Sequence, residues 1–450
     1  MRIETGGTGA PAGDLRPAVV RAGEKILLDG LEIARTSGPL HGLAIDLGTT
    51  TVVVRCHDLE TGAVVATTAF ENPQRFGGSD VMARIQFDTD NPGRLLQRTL
   101  LGYLGRAIEG LPVDPRSIFE VVVAGNTTMR DLFFGLDVHS IGQRPYRSLT
   151  ENERRAGTRS TTALATTARS LRLPVHPAAR VYGLPLVSGH VGADAAACLL
   201  ALAPHESDRL VAIMDIGTNT ELFLGRRGRL LAASCPAGPA FEGRAVTHGM
   251  PGLDGAISRV RIDDAGTCRI EVIGGGAPEG ICGSGLVDAL SELVRTERMN
   301  AMGRFEDGAE SYPLLPDGSI FLHERDINEL AQAKGANVAG LLTVAKRFGC
   351  ALADIECFHL AGGFGRHLDL AAARRIGLVP DLPDVRIHQA GNAAIEGATI
   401  ALLSVEKRRE LEALVDTIEH VELETDPDFF DHFVFGCQFR RVGVSEEVWS

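Results

Sequence analysis

The sequence predicts an α/β fold built as two copies of one domain. Three observations carry the prediction. An apolar run ending in aspartate is followed by a Gly-Thr turn and two more strand-like runs, once from residue 42 and again from residue 210. Runs with helical periodicity are interleaved with the strand-like ones, as layered α/β domains require. The chain has 450 residues, enough for two or three domains with a sizeable core. Repetition of a whole strand–turn–strand–turn–strand unit argues for duplication.

Residues 1–40 read as a short N-terminal extension, which could be the remnant of a preceding domain. Its first part is rich in Gly, Thr and Ala, and residues 18–33 read as a small hairpin broken by Gly23 and Gly30. The first domain is expected over 41–205. Residues 42–46, 51–56 and 64–70 read as three neighbouring antiparallel strands that turn at Gly48 and at Thr61-Gly62. Leu95, Leu96, Leu100, Leu104 and Ile108 recur at helical spacing within 91–108. Residues 118–124 form a short buried strand, and 127–134 begin a helix. The polar stretch 151–172 reads as a surface excursion, 184–188 as a strand, and 191–202 as a helix.

The second domain is expected over 206–450, with insertions and a C-terminal return. It repeats the opening with strands at 210–216, 220–225 and 229–234. A strand at 268–273 and helices at 285–295 and 324–348 follow, although Gly335 and Gly340 weaken the case for one unbroken rod. Then come a buried strand at 356–361 and helices at 392–403 and 406–417. A last strand is placed at 421–424, and the aromatic residues of 426–439 are enough to pack that tail down.

Composition narrows the function. The net charge of −13 disfavours nucleic acid, which needs a dense cationic face, and suits a basic partner or plain solubility. The eight cysteines lie far apart with no C-x2-C pair, which argues against a disulfide scaffold and against a local iron–sulfur or zinc site. The first residues lack the basic-then-apolar pattern of a secretory signal. No apolar run reaches the roughly 20 residues of a membrane helix. A soluble cytoplasmic protein is expected.

The chemistry concentrates in loops after strands. Asp46-Leu47-Gly48-Thr49-Thr50-Thr51 and Asp215-Ile216-Gly217-Thr218-Asn219-Thr220 each place a carboxylate at the end of an apolar strand. Glycine permits the sharp turn, and the hydroxyl, amide and backbone N–H donors that follow suit phosphate oxygens. Asp46 and Asp215 suit a magnesium ion, directly or through its water. Two such loops can grip one phosphate tail from both sides of a cleft. A Walker loop and a dinucleotide fingerprint are both missing.

Gly362 and Gly363, followed by Phe364, let a base and its sugar approach the backbone, and a helix expected next would add free N–H groups. Gly125-Asn126-Thr127-Thr128 follows a strand, where Thr127 is placed to cap a helix and Asn126 to order the cleft wall, and Gln389 belongs with Asn126. Asp194 reads first as a helix-start acid and second as a group that positions water or metal. Glu242 is either a helix-start residue or a ligand of ribose or water. Gly283 and Ser284 form another close-approach turn, where Cys282 is packed rather than reactive.

Together, both phosphate loops and the late Ala-Gly-Gly loop resemble the superfamily of acetate and sugar kinases, heat-shock chaperones and actin. Within it, the stretches 45–53, 125–129, 215–221, 238–243, 280–288, 360–365 and 389–403 are similar to ATP-dependent reductive activators of corrinoid proteins, a resemblance spanning about 42–439. It implies actin-like (ribonuclease H-like) domains closing on Mg-ATP, with Asp46, Asp215 or Asp194 ordering the attacking water. It implies ATP hydrolysis coupled to one-electron reduction of a cobalt(II) corrinoid on a methyltransferase-system partner protein. Relatives usually carry an iron–sulfur domain. Here residues 1–40 hold no cysteine and 434–450 only Cys437, so no cluster is expected in this chain and the electron is assigned to a separate iron–sulfur or flavin protein. A homodimer is compatible with the likeness.

Two other readings share the cleft. A small-molecule kinase would pass the γ-phosphate to an acceptor, with Asp194 or Glu242 offering a base. A nucleotide-gated binding or scaffold protein would use ATP to set an interdomain angle without fast turnover.

Overall fold

The computed structural model describes residues 2–7, 15–365 and 368–444. The chain divides into two compact units, one of residues 1–203 and 393–418 and the other of residues 204–392 and 419–450.

The first unit opens with β1 (Arg2–Gly7). A separate three-stranded sheet follows, β2 (Val19–Ala22), β3 (Lys25–Leu28) and β4 (Leu31–Arg35), where the sequence suggested only a hairpin. Next come β5 (His41–Leu47), β6 (Thr51–Asp58) and β7 (Val64–Glu71), the expected antiparallel trio. Helices α1 (Val81–Asp90) and α2 (Leu95–Glu109) lead to β8 (Ile118–Gly125), every residue of which is buried, and to α3 (Thr127–Phe134).

Residues 151–172 are not a loose excursion. They contribute to α4 (Leu149–Arg155), capped reciprocally by Ser148 and Glu151, and form β9 (Leu164–Thr167) at the sheet edge and α5 (Ala168–Leu171). The polar residues have buried partners. The fully buried Arg130 donates to the Thr162 carbonyl at 2.9 Å and to Thr150 Oγ1 at 3.1 Å. The strand expected at 184–188 is instead β10 (Arg180–Gly183). Leu184 still donates to the Val123 carbonyl, but Pro185 has no N–H and the ladder stops. Helix α6 (Ala193–Leu202) closes this stretch.

The second unit repeats the plan with β11 (Val211–Ile216), β12 (Thr220–Arg226) and β13 (Arg229–Cys235). A three-stranded insertion, β14 (Ala256–Ile262), β15 (Cys268–Val272) and β16 (Gly280–Ile281), precedes α7 (Gly283–Arg295). The short pair β17 (Ser311–Pro313) and β18 (Phe321–His323) leads to α8 (Glu324–Phe348). That helix runs unbroken through Gly335 and Gly340 because both are points of contact. A Cβ would stand 2.6 Å from Cys437 Sγ at the first and 2.2 Å from Cys235 Sγ at the second.

Strand β19 (Cys357–Ala361), helix α9 (Leu370–Arg375) and strand β20 (Ile387–Gly391) complete the parallel side of this sheet. Residues 393–418, placed above in the second domain, fold with the first unit as α10 (Ala393–Leu403) and α11 (Val405–Leu414). The backbones touch there, since a Cβ on Gly397 would fall 1.9 Å from the Ala197 carbonyl oxygen. The last strand is β21 (Glu419–His420), earlier than expected. Residues 423–425 form a single 3-10 turn instead, Leu423 being buried and Thr425 Oγ1 donating to the Glu422 carbonyl at 2.7 Å. The aromatic tail does pack down, as α12 (Phe429–Cys437) against α8.

The duplication reaches five strands. The first sheet runs β1-β7-β6-β5-β8-β10-β9 and the second β20-β19-β11-β12-β13-β21. In each, three antiparallel strands continue into two parallel ones, β5–β8–β10 in the first and β11–β19–β20 in the second. The functional loops therefore leave the carboxyl ends of parallel strands, where open α/β sheets bind ligands.

Candidate functional site

In the first unit, Asp46 closes β5 and the turn 48–51 follows between the paired residues Leu47 and Val52. Burial alternates: Asp46, Gly48 and Thr50 are half-buried, while Leu47 and Thr49 are buried. The turn is held from behind at three successive carbonyls. Asn72 Nδ2 donates to the Gly48 oxygen at 2.8 Å, Arg84 Nη2 to the Thr49 oxygen at 2.7 Å, and the Asn72 backbone to the Thr50 oxygen at 2.8 Å. In a trans peptide the N–H points opposite to the carbonyl. Anchoring these three oxygens therefore aims the amides of Thr49, Thr50 and Thr51 the other way. Asn72 and Arg84 were not found from the sequence, where nothing in their surroundings marks them.

Asn126 lies at the end of β8 and caps α3 through the Met129 amide at 2.9 Å, while its Nδ2 donates to Thr49 Oγ1 at 3.0 Å. Gly125 and Gly192 permit this crowding. A Cβ would meet the Leu47 carbonyl oxygen at 2.9 Å at the first and the Asn126 Cα at 2.5 Å at the second. Asp194 starts α6 with its Oδ1 on the Ala195 amide at 2.8 Å, and a Cβ on Gly192 would lie 2.8 Å from that oxygen. Asp46, Thr49, Asn126 and Asp194 are thus neighbours at one end of the first sheet.

The second unit has the same alternation, with Asp215, Gly217 and Asn219 half-buried and Ile216 and Thr218 buried. Its turn is one residue shorter, since Ile216 pairs with Thr220. Thr220 consequently lies inside β12, fully buried, and its hydroxyl is not offered to a phosphate, contrary to the expectation. Thr51 is exposed. Thr218 donates through Oγ1 to Glu242 Oε2 at 3.0 Å, so Glu242 orders this turn, and the Thr218 carbonyl accepts from the Gly238 amide at 2.9 Å.

Three further loops meet this turn. Gly362 adopts φ of +90°, and a Cβ there would lie 2.5 Å from the Ile216 carbonyl oxygen and 2.9 Å from Asp215 Oδ1. Gly363 is exposed, with open space where a side chain would be. Gln389 Nε2 staples the end of this loop, donating to the Gly365 carbonyl at 2.7 Å and the Leu368 carbonyl at 2.8 Å. Gly283 lets Phe364 and Phe241 close over it, their rings 5.5 Å apart; its Cβ would strike the Phe364 ring at 2.6 Å. Ser284, read with Gly283 as a close-approach turn toward the nucleoside, donates its Oγ to the Ser258 carbonyl at 3.1 Å and so keeps only acceptor lone pairs for a ligand. After the glycines the backbone takes 3-10 geometry at Gly365, and α9 begins at Leu370, capped by Asp369. Beneath the loop, burial and neighbouring His388 push His359 down to about 4, so its imidazole is neutral at ordinary pH.

The eight cysteines are all free. Among the described residues no helix is long and apolar enough to cross a membrane.

A family model described as the RACo middle region matches residues 41–207, and one described as the C-terminal domain of RACo, the ASKHA domain, matches 209–447. The chain is 30% identical to the corrinoid activation enzyme RamQ of Eubacterium limosum, over 94% of this chain and 74% of that protein. It is 24% identical to the [Co(II) methylated amine-specific corrinoid protein] reductase of Methanosarcina barkeri, over 91% of this chain and 79% of that one. Among solved structures it is similar to a reductive activator for corrinoid, iron-sulfur protein, with 33% identity and a TM-score of 0.81 over 91% of this chain and 68% of that chain.

Proposed function

As the chain belongs to the RACo family and has that family's actin-like ASKHA fold, we propose that it is an ATP-dependent activator that returns a cobalt(II) corrinoid on a partner protein to cobalt(I). The observation that carries the reading is the matched pair of turns, Asp46–Thr51 and Asp215–Asn219, with one burial pattern at the ends of equivalent strands. Each turn, with its carboxylate and outward amides, suits phosphate oxygens. The named activities of the two relatives supply the substrate class.

The residues present fit Mg-ATP. Asp46 and Asp215 are half-buried hard oxygen donors beside turns rich in hydroxyls, and Gly363 leaves room for a flat group. Magnesium held there would neutralise phosphate charge. The Thr49–Thr51 and Thr218–Asn219 amides hold the phosphate oxygens, Gly217 closing its turn onto the Asn219 carbonyl at 3.1 Å, Gly362, Gly363 and Phe364 receive the nucleoside, and Asp46, Asp215 or Asp194 orders the water that takes the γ-phosphoryl group. Asn126, Glu242 and Gln389 position these loops. ATP can drive a partner's change of state only if the nucleotide-bound form binds that state differently. One electron per cobalt comes from a separate iron–sulfur or flavin protein.

The test is direct. The protein is mixed with its corrinoid partner, magnesium, ATP and a reduced ferredoxin-type donor, and cobalt(I) is followed by absorbance. Cobalt(I) should form faster than in the ATP-free control. Equal rates would sink the proposal, and a phosphorylated metabolite formed in its place would mark a kinase.

A further inference from the structure

Arg84 belongs to no motif, yet it is fully buried directly behind the first phosphate turn. We propose that Arg84 is a positioning residue for the triphosphate, fixing that turn and stationing a positive charge behind it. The inference rests on the nucleotide reading above and goes beyond it to a part that sets phosphate affinity.

One planar guanidinium ties three segments together. Nη2 donates to the Thr49 carbonyl at 2.7 Å, Nε to the Gly78 carbonyl at 3.1 Å and Nη1 to Met129 Sδ at 3.0 Å. These partners lie in the turn, ahead of α1, and in α3, so α1 and α3 are locked to the turn by a fork that lysine cannot reproduce. Hydrogen bonds from an ionised donor are stronger than neutral ones, and they polarise the peptide they grip. The Thr49 carbonyl and the Thr50 amide share one peptide, so the charge is relayed to the outward edge of the turn.

The second turn provides the contrast. Its matching carbonyl, on Thr218, accepts from the neutral Gly238 amide at 2.9 Å. Two turns with one burial pattern are thus unequal in charge, and the cation stands behind the first alone among these carbonyl contacts. This asymmetry belongs with phosphate charge rather than with folding of the turn, which a neutral donor accomplishes in the second unit.

Dissociation constants for ATP, ADP and AMP with magnesium, measured by calorimetry on the full chain, test this in the parent, Arg84→Met and Arg84→Lys, each with a thermal melt. Arg84→Met should weaken ATP and ADP roughly tenfold or more, as losing a charge-assisted bond does. AMP affinity should stay within about twofold, and Arg84→Lys should recover part of the ATP loss. Unchanged ATP affinity in a folded variant, or equal losses for ATP and AMP, would overturn the proposal. If Arg84→Met does not fold, Arg84→Lys alone decides: ATP weakened more than AMP supports it, and equal effects overturn it. A parent that binds none of the three nucleotides refutes the underlying nucleotide reading instead.

Discussion

Gly362 shows how a single residue sets the second turn. Its φ of +90° and the 2.9 Å that would separate a Cβ from Asp215 Oδ1 leave no place for a side chain. Gly362→Ala should lower stability by about 1–3 kcal/mol in urea unfolding, with weaker ATP binding as Asp215 is displaced. An unchanged midpoint would mean that the loop relaxes around the methyl group. Asp215→Asn keeps the shape and removes the charge. Magnesium-dependent ATP hydrolysis should fall roughly a hundredfold while the melting temperature holds, and parental turnover in that variant would take Asp215 out of the mechanism. Aspartate, glycine and threonine were legible in the sequence because each has a chemical reason to stand at a strand end. Asn72 and Arg84 were not, because what they do depends on segments that come together only in the fold. Thr220 was misread for a simpler reason: one residue fewer in the second turn pairs that threonine with Ile216 and buries it, where its counterpart Thr51 is exposed.

Two elements hold charges where cores rarely do. Glu120 sits in the middle of β8, fully buried, with Arg180 at 2.6 Å and Arg408 of α11 at 2.7 Å. Arg408 also lies over the Tyr182 ring, 4.9 Å from its centre. Glu120→Gln breaks this cluster from one side and should cost about 3–5 kcal/mol by chemical denaturation, since it leaves the buried Arg408 without its carboxylate, while the half-buried Arg180 keeps Asp29. Lys334 of α8 is buried, donating to the carbonyls of Gly436 and Gln438 at the end of α12, and burial pushes its ammonium down to about 7. Its ordinary value is about 10.4, so between these two values the unfolded chain binds the extra proton and stability rises with pH. Below that window both states are protonated and the full penalty of the buried charge remains. The stability difference between parent and Lys334→Met should therefore shift in the parent's favour from about pH 7 to 10, and a flat difference would place the lysine's titration elsewhere. Strands that are apolar but for one residue, such as β8 with Glu120, could still be read directly. Helix α1 could not, because it points a buried arginine inward where periodicity expects an apolar side chain.

For the whole molecule, the proposed function requires each turn to respond to nucleotide. Hydrogen exchange with Mg-ATP should slow at 49–51 and at 218–219, and a turn left unprotected would be taken out of phosphate binding. Duplication was visible in the sequence as a repeated three-strand opening, and the structure extends it through the parallel partners β8 and β19. The allegiance of residues 393–418 was not visible, because hydrophobic periodicity tells that a helix is buried without telling against what. Those helices press on the first sheet so closely that a Cβ on Gly42 would lie 2.9 Å from Leu402 Cδ1. A ribosome thus releases the first unit's last two helices only after nearly all of the second unit has emerged. The half that is begun first cannot be completed until most of the other has been made, and a gene severed between residues 203 and 204 would yield an N-terminal product with an open apolar flank rather than a working domain.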